Sequence, residues 1–234
     1  MGLAKVPCRP IPNAITAPMP TQDHTHIETE SLSFEPLPAG SGAGVVEHKP
    51  LSSPLLDQHR VSLLRLAPGA ALEASATHDR ELFVLSGTWT LPGGDLTERG
   101  YARLPADGSF ANSSPTGCIL FQRAGPFKEP SDEPLQRQTT PSDWVPGQGN
   151  LRVLPLHHGP TSGTALVHWP AGERFVPHRH FGGEEIFVLS GTFRDEHGNY
   201  PAGSWLLSPH LSTHHPFVTE ETTILVKTGH LPVA

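Results

Sequence analysis

The sequence predicts an all-β chain made of two similar units, and three observations carry that expectation. First, 26 prolines and 23 glycines interrupt 234 residues, so turn-formers cut the chain every few residues and leave no long amphipathic helix. Second, the segments between them are short and rich in β-branched and aromatic residues, and they alternate with period two. Third, Glu81-Leu82-Phe83-Val84-Leu85-Ser86-Gly87-Thr88-Trp89 recurs as Glu185-Ile186-Phe187-Val188-Leu189-Ser190-Gly191-Thr192-Phe193, with seven of nine positions identical. An internal repeat of this kind marks duplicated architecture.

The repeat extends outward. Leu63 to Gly69 runs parallel to Leu166 to Gly172, Gly100 to Pro105 parallels Gly203 to Pro209, and Phe34-Glu35-Pro36 resembles Trp144-Val145-Pro146. The expected organisation is an arm over 1–30, a first lobe over 31–126, a polar linker over 127–139 and a second lobe over 140–234. Within the second lobe, Ile186, Val188 and Ser190 alternate with Glu185, Phe187 and Leu189, which reads as a strand. It ends at Gly191, and Asp195-Glu196-His197-Gly198-Asn199 supplies a hairpin turn. Trp205 to Leu207 and Thr223 to Val226 read as further strands. Several short strands at this spacing predict a sandwich or a barrel.

Composition removes some functions. With glycine counted, the apolar fraction is about 46%, ordinary for a globular protein. The net charge is −7 and there is no Lys/Arg run, so neither nucleic acid nor an anionic membrane is an expected partner. No stretch approaches the ~20 apolar residues of a membrane span. Met1 to Pro20 lacks the apolar core of a signal peptide, so the expected location is cytoplasmic. Cys8 and Cys118 lack CxxC spacing; they leave one distant disulfide open but make no disulfide scaffold.

Fifteen histidines are many for this length, and most need no special role. His24 and His26 read as solvated residues of a polar tail, and His157-His158 as an exposed pair beside a Gly-Pro turn. His178 and His180 differ, because on a strand two imidazoles at i and i+2 share a face. The short Phe181-Gly182-Gly183 turn then brings Glu184 back beside them, and His214 follows about thirty residues on. Three imidazoles and a carboxylate suit Fe, Mn, Ni, Cu or Zn. Glu185 competes with Glu184 and His215 with His214, while His168 reads as a rim residue rather than a fifth ligand. Affinity resting on neutral imidazoles is expected to weaken below about pH 6.

These residues carry a resemblance. Gly172-x5-His178-x-His180-x3-Glu184-x6-Gly191 is similar to the first cupin motif, and Gly203-x5-Pro209-x4-His214 to the second, except that Leu211 stands where that family usually has glycine. Gly182-Gly183-Glu184-Glu185 and its surroundings look like the cupin half of ChrR-type anti-sigma factors, and related cupins include dioxygenases that cleave diketones or hydroxyacetophenones. The resemblance implies two tandem cupin (jelly-roll) β-barrels in one chain. It also implies one divalent metal held by His178, His180, Glu184 and His214, with Fe or Zn foremost and Mn or Ni as further choices.

Aligned on the repeat, the first lobe places Ser75, Thr77, Arg80 and Phe110 opposite the four ligands, so that lobe is expected to lack the site and to be filled by side chains such as Phe110. His78 and Glu81 remain as candidates for a residual site. Two functions follow from the resemblance. One is a mononuclear metal-dependent oxidoreductase of dioxygenase type acting on a small molecule lodged near Ile186, Val188 and Trp205. The other is a ChrR-like sensor in which a zinc organises the barrel. ChrR-type proteins grip their sigma factor with a zinc-binding helical domain that residues 1–30 do not match, so a sigma-factor partner is not expected. The sequence leaves monomer and homodimer open.

Overall fold

The structure, a computed structural model, describes residues 24–37, 43–106, 110–127 and 134–233. It consists of two seven-stranded antiparallel sheets with the same internal order. The first runs Leu135–Gln138, Gly100–Leu104, Asp79–Gly87, Cys118–Gly125, Arg60–Leu66, Val46–Leu51, Glu35–Pro36. The second runs Thr25–Glu28, Ser204–Ser208, Glu184–Ser190, Thr222–Thr228, Gly163–Trp169, Arg152–His158, Val145–Pro146. Three two-stranded ribbons complete the barrels, and helix is confined among the described residues to three single 3-10 turns. Among the described residues, no helix is long and apolar enough to cross a membrane.

The repeat is visible as register. Glu81 sits opposite Arg103 and Arg123, and Glu185 opposite Leu207 and Lys227. Both central strands bulge at the same point, between Val84 and Ser86 and between Val188 and Ser190. The glycine that ends each strand is held by packing as well as by conformation. A Cβ on Gly87 would meet the Gly117 carbonyl at 2.2 Å, and one on Gly191 the Glu221 carbonyl at 2.3 Å, both at positive φ.

The two sheets exchange strands. Thr25–Glu28, which precedes the first lobe, pairs with Ser204–Ser208 of the second. Leu135–Gln138, inside the expected linker, pairs with Gly100–Leu104 of the first. The N-terminal arm and the linker therefore each carry an edge strand of the opposite lobe, which caps a sheet edge that would otherwise expose unpaired backbone groups. His24 is half-buried and bonds Ser208 through Nδ1 at 2.9 Å, contrary to its reading as a solvated residue. His26 is exposed, with its ring edge on Tyr200. Cys118 is buried and free; Cys8 lies outside the described residues.

Three apolar clusters form the core. Leu64, Leu82, Val84, Trp89 and Leu120 fill the first barrel, and Trp169, Ile186, Val188, Phe193 and Ile224 the second. The third lies between the lobes and joins Phe83, Tyr101 and Phe121 to Phe187, Trp205, Leu207 and Leu225. Each central strand is thus buried on both faces, with even and odd positions serving different cores. Trp205 belongs to the interlobe core, where its Nε1 donates to Glu185 Oε1 at 2.9 Å. It does not line the second barrel as expected, because it pairs with Phe187 and shares that residue's face.

Two carboxylates enter this apolar interface, each paired with a cation from the other lobe. Glu185 bonds Arg123, and Glu81 accepts from Lys227 Nζ at 2.7 Å, from Thr164 Oγ1 at 2.6 Å and from the Tyr101 hydroxyl at 2.5 Å. Desolvation alone would raise the Glu81 pKa, but the Lys227 charge and these hydrogen bonds outweigh it and hold the group at about 2. A carboxylate depressed in the folded state stabilises the protein above its unfolded pKa near 4.5, and that contribution is lost as pH falls towards 2. A shift of this size corresponds to roughly 3 kcal/mol. Acid titration should therefore show unfolding below about pH 4 that Glu81→Gln makes shallower, read by far-UV circular dichroism.

Candidate metal centre

His178 and His214 face each other as direct partners in the ribbon His178–Arg179 with Thr213–His214. His180 lies just past that strand, fixed by its own amide to the Ser212 carbonyl at 3.0 Å and by the Leu211 amide to its carbonyl at 2.8 Å. The chain then reverses through Gly182 and Gly183, both left-handed at φ 71° and 75°. A Cβ on Gly183 would come within 2.4 Å of Leu231 and 2.8 Å of the Ser208 carbonyl, so only glycine fits. This tight reversal delivers Glu184 as the first residue of a strand whose first five residues are buried.

The four expected residues converge. One ligand atom from each of His178, His180, Glu184 and His214 lies within 4.8 Å of every other. His180 Nε2 is 3.1 Å from His178 Nε2 and 3.4 Å from Glu184 Oε2, and His214 Nε2 is 3.5 Å from Glu184 Oε2. His180, Glu184 and His214 are buried, and His178 is half-buried.

The partners of the outer nitrogens fix the tautomers. Ser212 Oγ spends its hydrogen on the Pro209 carbonyl at 2.7 Å, so it accepts from His180 Nδ1 at 3.0 Å. The Val176 carbonyl can only accept, and it takes His178 Nδ1–H at 3.1 Å. Asp195 Oδ2 takes His214 Nδ1–H at 3.2 Å. Three Nε2 lone pairs and a carboxylate oxygen therefore point at one another. Glu184 Oε2 is buried without any hydrogen-bond partner. A cation would relieve such a group, and second-partner bonding of each imidazole is the pattern of metal-ligating histidines.

The electrostatics agree. Desolvation first, then the neighbouring His214 and His178, pulls the His180 pKa down to about 3, so the ring is neutral and ready to ligate. Desolvation pushes Glu184 up to about 7, with His214 pulling it down and Asp195 pushing it up. The group that holds a proton near neutrality is thus the carboxylate, which moves the expected pH-sensitive step from histidine to Glu184.

Asp195 was read only as a turn residue. Its Oδ1 does make the turn, accepting from the His197 and Gly198 amides at 2.8 and 3.0 Å and from the Tyr200 hydroxyl at 2.9 Å. Its other oxygen reaches the site. A D-x-x-G turn has the same sequence whichever way the second oxygen points, so nothing in the residues flagged this role.

The competing residues fall elsewhere. Glu185 turns into the interlobe core. His215 is exposed, its amide bonded to Glu196. His168 sits near Trp144 and Thr223, outside the cluster. In the first lobe, Ser75 Oγ accepts the His78 amide at 3.0 Å, Thr77 Oγ1 contacts His78 Nδ1 at 2.7 Å, and Phe110 packs edge-on to Trp89. Glu81 faces the other lobe, so it and His78 form no residual site, and no second metal-type cluster occurs among the described residues.

Leu211 has φ 63°. A left-handed leucine costs about 1–2 kcal/mol, which explains why glycine suits this position. Leu211→Gly is expected to raise stability by about 0.5–1 kcal/mol, the relief being partly offset by unfolded-state entropy. Urea unfolding would measure it, and metal content should not change.

The fold is that of two cupin barrels in one chain. Residues 133–232, the second lobe, match the family described as the ChrR cupin-like domain. No curated protein sequence matches the chain. Among solved structures, a provisionally named dioxygenase from Nostoc punctiforme is similar at TM-score 0.69 and 14% identity, covering 92% of this chain and 84% of that one. The protein Ylba from E. coli aligns at TM-score 0.68 and 16% identity over 94% and 97% of the two chains. The formate complex of oxalate decarboxylase from Lactobacillus farciminis aligns at 0.64 and 11% over 89% and 87%. At such identities the likeness establishes the fold, which hosts many chemistries.

Proposed function

We propose that the second lobe holds one divalent metal ion through His178, His180, Glu184 and His214, and that the protein is a metal-dependent oxidoreductase of the dioxygenase type acting on a small organic molecule. The observation that carries metal binding is the convergence of three oriented Nε2 lone pairs on a buried, partnerless carboxylate oxygen. The donor set suits Fe, Zn, Mn or Ni; iron favours the dioxygenase reading, which is supported by the likeness to the Nostoc punctiforme protein. Bound there, iron would supply a Lewis acid and a place for a chelating substrate and dioxygen.

The chain's own residues do the remaining work. Asp195 and Ser212 hold His214 and His180 in orientation. Phe193 and Phe175 lie against the His214 and His178 rings at 6.0 and 5.0 Å and exclude water from the inner side. His178 is the least buried of the four, so substrate approaches on its side.

A second reading, a ChrR-like sensor whose zinc organises the barrel without catalysis, is favoured by the family match of residues 133–232. Metal analysis of untagged protein purified anaerobically without chelators separates the two. Near-stoichiometric iron, with oxygen uptake in the presence of diketones or hydroxyaryl ketones, supports the enzyme. Tightly held zinc with no oxygen uptake supports the sensor and overturns the dioxygenase.

A further inference from the structure

The loop between His180 and Glu184 is held in place without burying a side chain of its own. Phe181 is 73% exposed, and Gly182 and Gly183, although buried, have no side chain to pack. The position of the loop therefore rests on backbone hydrogen bonds, and the four polar groups of the two glycines all find partners. The Gly183 amide closes the turn onto the His180 carbonyl at 3.3 Å, the Gly183 carbonyl accepts from the Gly229 amide at 3.1 Å, and the Gly182 carbonyl accepts from the Leu231 amide at 2.7 Å. The fourth group, the Gly182 amide, is satisfied by a side chain: it donates to His210 Nδ1 at 2.8 Å. A buried amide without this acceptor would carry the full cost of its desolvation.

His210 stands in a second turn, Pro209 to Ser212, closed by the Ser212 amide on the Pro209 carbonyl at 3.1 Å with Leu211 left-handed at its third position. The two turns interlock. Leu211 donates its amide to the His180 carbonyl at 2.8 Å, His180 donates its own to the Ser212 carbonyl at 3.0 Å, and the His180 and Ser212 side chains meet at 3.0 Å. Those contacts fix His180 itself. The His210 bond reaches further along the loop, to the residue two places before Glu184. An amide can only donate, so His210 Nδ1 carries no proton and the neutral ring is the Nε2–H tautomer. The Phe181 ring leans edge-on against it at 5.2 Å. Metal–ligand distances tolerate errors of only about 0.2 Å, so the placement of the Glu184 carboxylate depends on how firmly this reversal is held.

We propose that His210 is a positioning residue of the metal centre: by accepting the Gly182 amide it sets the glycine reversal, and with it the place of Glu184 against His178, His180 and His214. The inference rests on the reading of those four residues as metal ligands, and His210 is not one of them.

Two measurements test it, the first without metal. In metal-free, full-length protein at about pH 8, above the ordinary histidine pKa, nitrogen NMR of isotope-labelled protein should show neutral His210 as the Nε2–H tautomer and the Gly182 amide protected from exchange. His210→Ala should lose the Gly182 protection while the His180 amide keeps its own. The second measurement is affinity for divalent zinc, read by competition with a chelator. His210→Ala and His210→Leu should each bind about 10-fold or more weakly; the leucine keeps bulk against Phe181 but offers no acceptor. His210→Asn, whose Oδ1 branches from the same carbon as Nδ1 does, should restore most of the affinity. An Nδ1–H tautomer in the unsubstituted protein, unchanged affinity in His210→Ala, or His210→Asn binding as weakly as His210→Ala would each overturn the proposal, the last assigning the loss to ring packing on Phe181. The tautomer is read on the unsubstituted chain, so a variant that fails to fold still leaves the proposal open to refutation. The ligand reading fails separately: unsubstituted protein that takes up no zinc removes the metal centre, and this role with it.

Discussion

Replacing His178 and His180 together by alanine is expected to abolish metal retention, with content falling from near one equivalent to under roughly 0.1 per chain, because two of four ligands disappear. The fold should survive, since neither side chain belongs to the three apolar clusters of the core. The geometry predicts a graded series around this result. Asp195→Asn leaves all four ligands but weakens the hold on the His214 tautomer, and should lower affinity about 10–100-fold. Ser75→Ala and His215→Ala should change nothing. Elemental analysis gives the first comparison and competition with a chelator the second; a double variant that still binds one equivalent would refute the ligand assignment. The pH profile provides an independent reading. Glu184 sits at about 7 and His180 at about 3, so below pH 7 the metal must displace the Glu184 proton. Affinity should fall about tenfold per pH unit below 7 and level off above it, with one proton released per metal bound in the falling range. A fall that begins only below pH 6 would return the titration to the histidines.

Three of the four candidate ligands were legible because their information is local: an i, i+2 pair, a glycine reversal and a carboxylate one strand on, all in seven residues from His178 to Glu184, while His214 was reached through the spacing of the second motif. The duplication was legible for the same reason, being written as near-identical text. What could not be read was anything that depends on the second copy in space. Thr25–Glu28 looks like a polar tail because its partner strand lies almost 180 residues away in the other lobe. Leu135–Gln138 looks like a linker for the same reason. Glu81 reads as a candidate for a residual site and Glu185 as a competitor of Glu184, because nothing near them in the chain shows what covers their face of the strand. In this fold the outward face of each barrel is the inward face of the interlobe core, so both carboxylates are buried. Asp195 was missed because one oxygen of a turn carboxylate was free to do something else.

Removal of the Glu185 carboxylate should be the most destabilising single change outside the hydrophobic cores. Glu185→Ala strands Arg123, whose side chain is 1% exposed, beside two orphan N–H groups that it already carries. It also strips the acceptor from Trp205 Nε1. Breaking one side of a buried pair costs about 3–5 kcal/mol. The upper part of that range is expected here, because a guanidinium cannot shed its proton to escape burial. The pseudo-equivalent change Glu81→Ala should cost less, since Lys227 can neutralise, and burial already lowers its pKa. The order Glu185→Ala worse than Glu81→Ala therefore separates an electrostatic cause from a packing one, the two side chains being the same size. Removing both partners in R123M/E185Q should recover most of the loss, because the desolvation cost goes with the charge and the glutamine still accepts from Trp205. Urea midpoints of the four proteins measure all of this. If R123M/E185Q proved less stable than Glu185→Ala, the pair would be contributing net stability, and the lobes would be held together by charge more than by Phe83, Phe121, Phe187 and Trp205 around it.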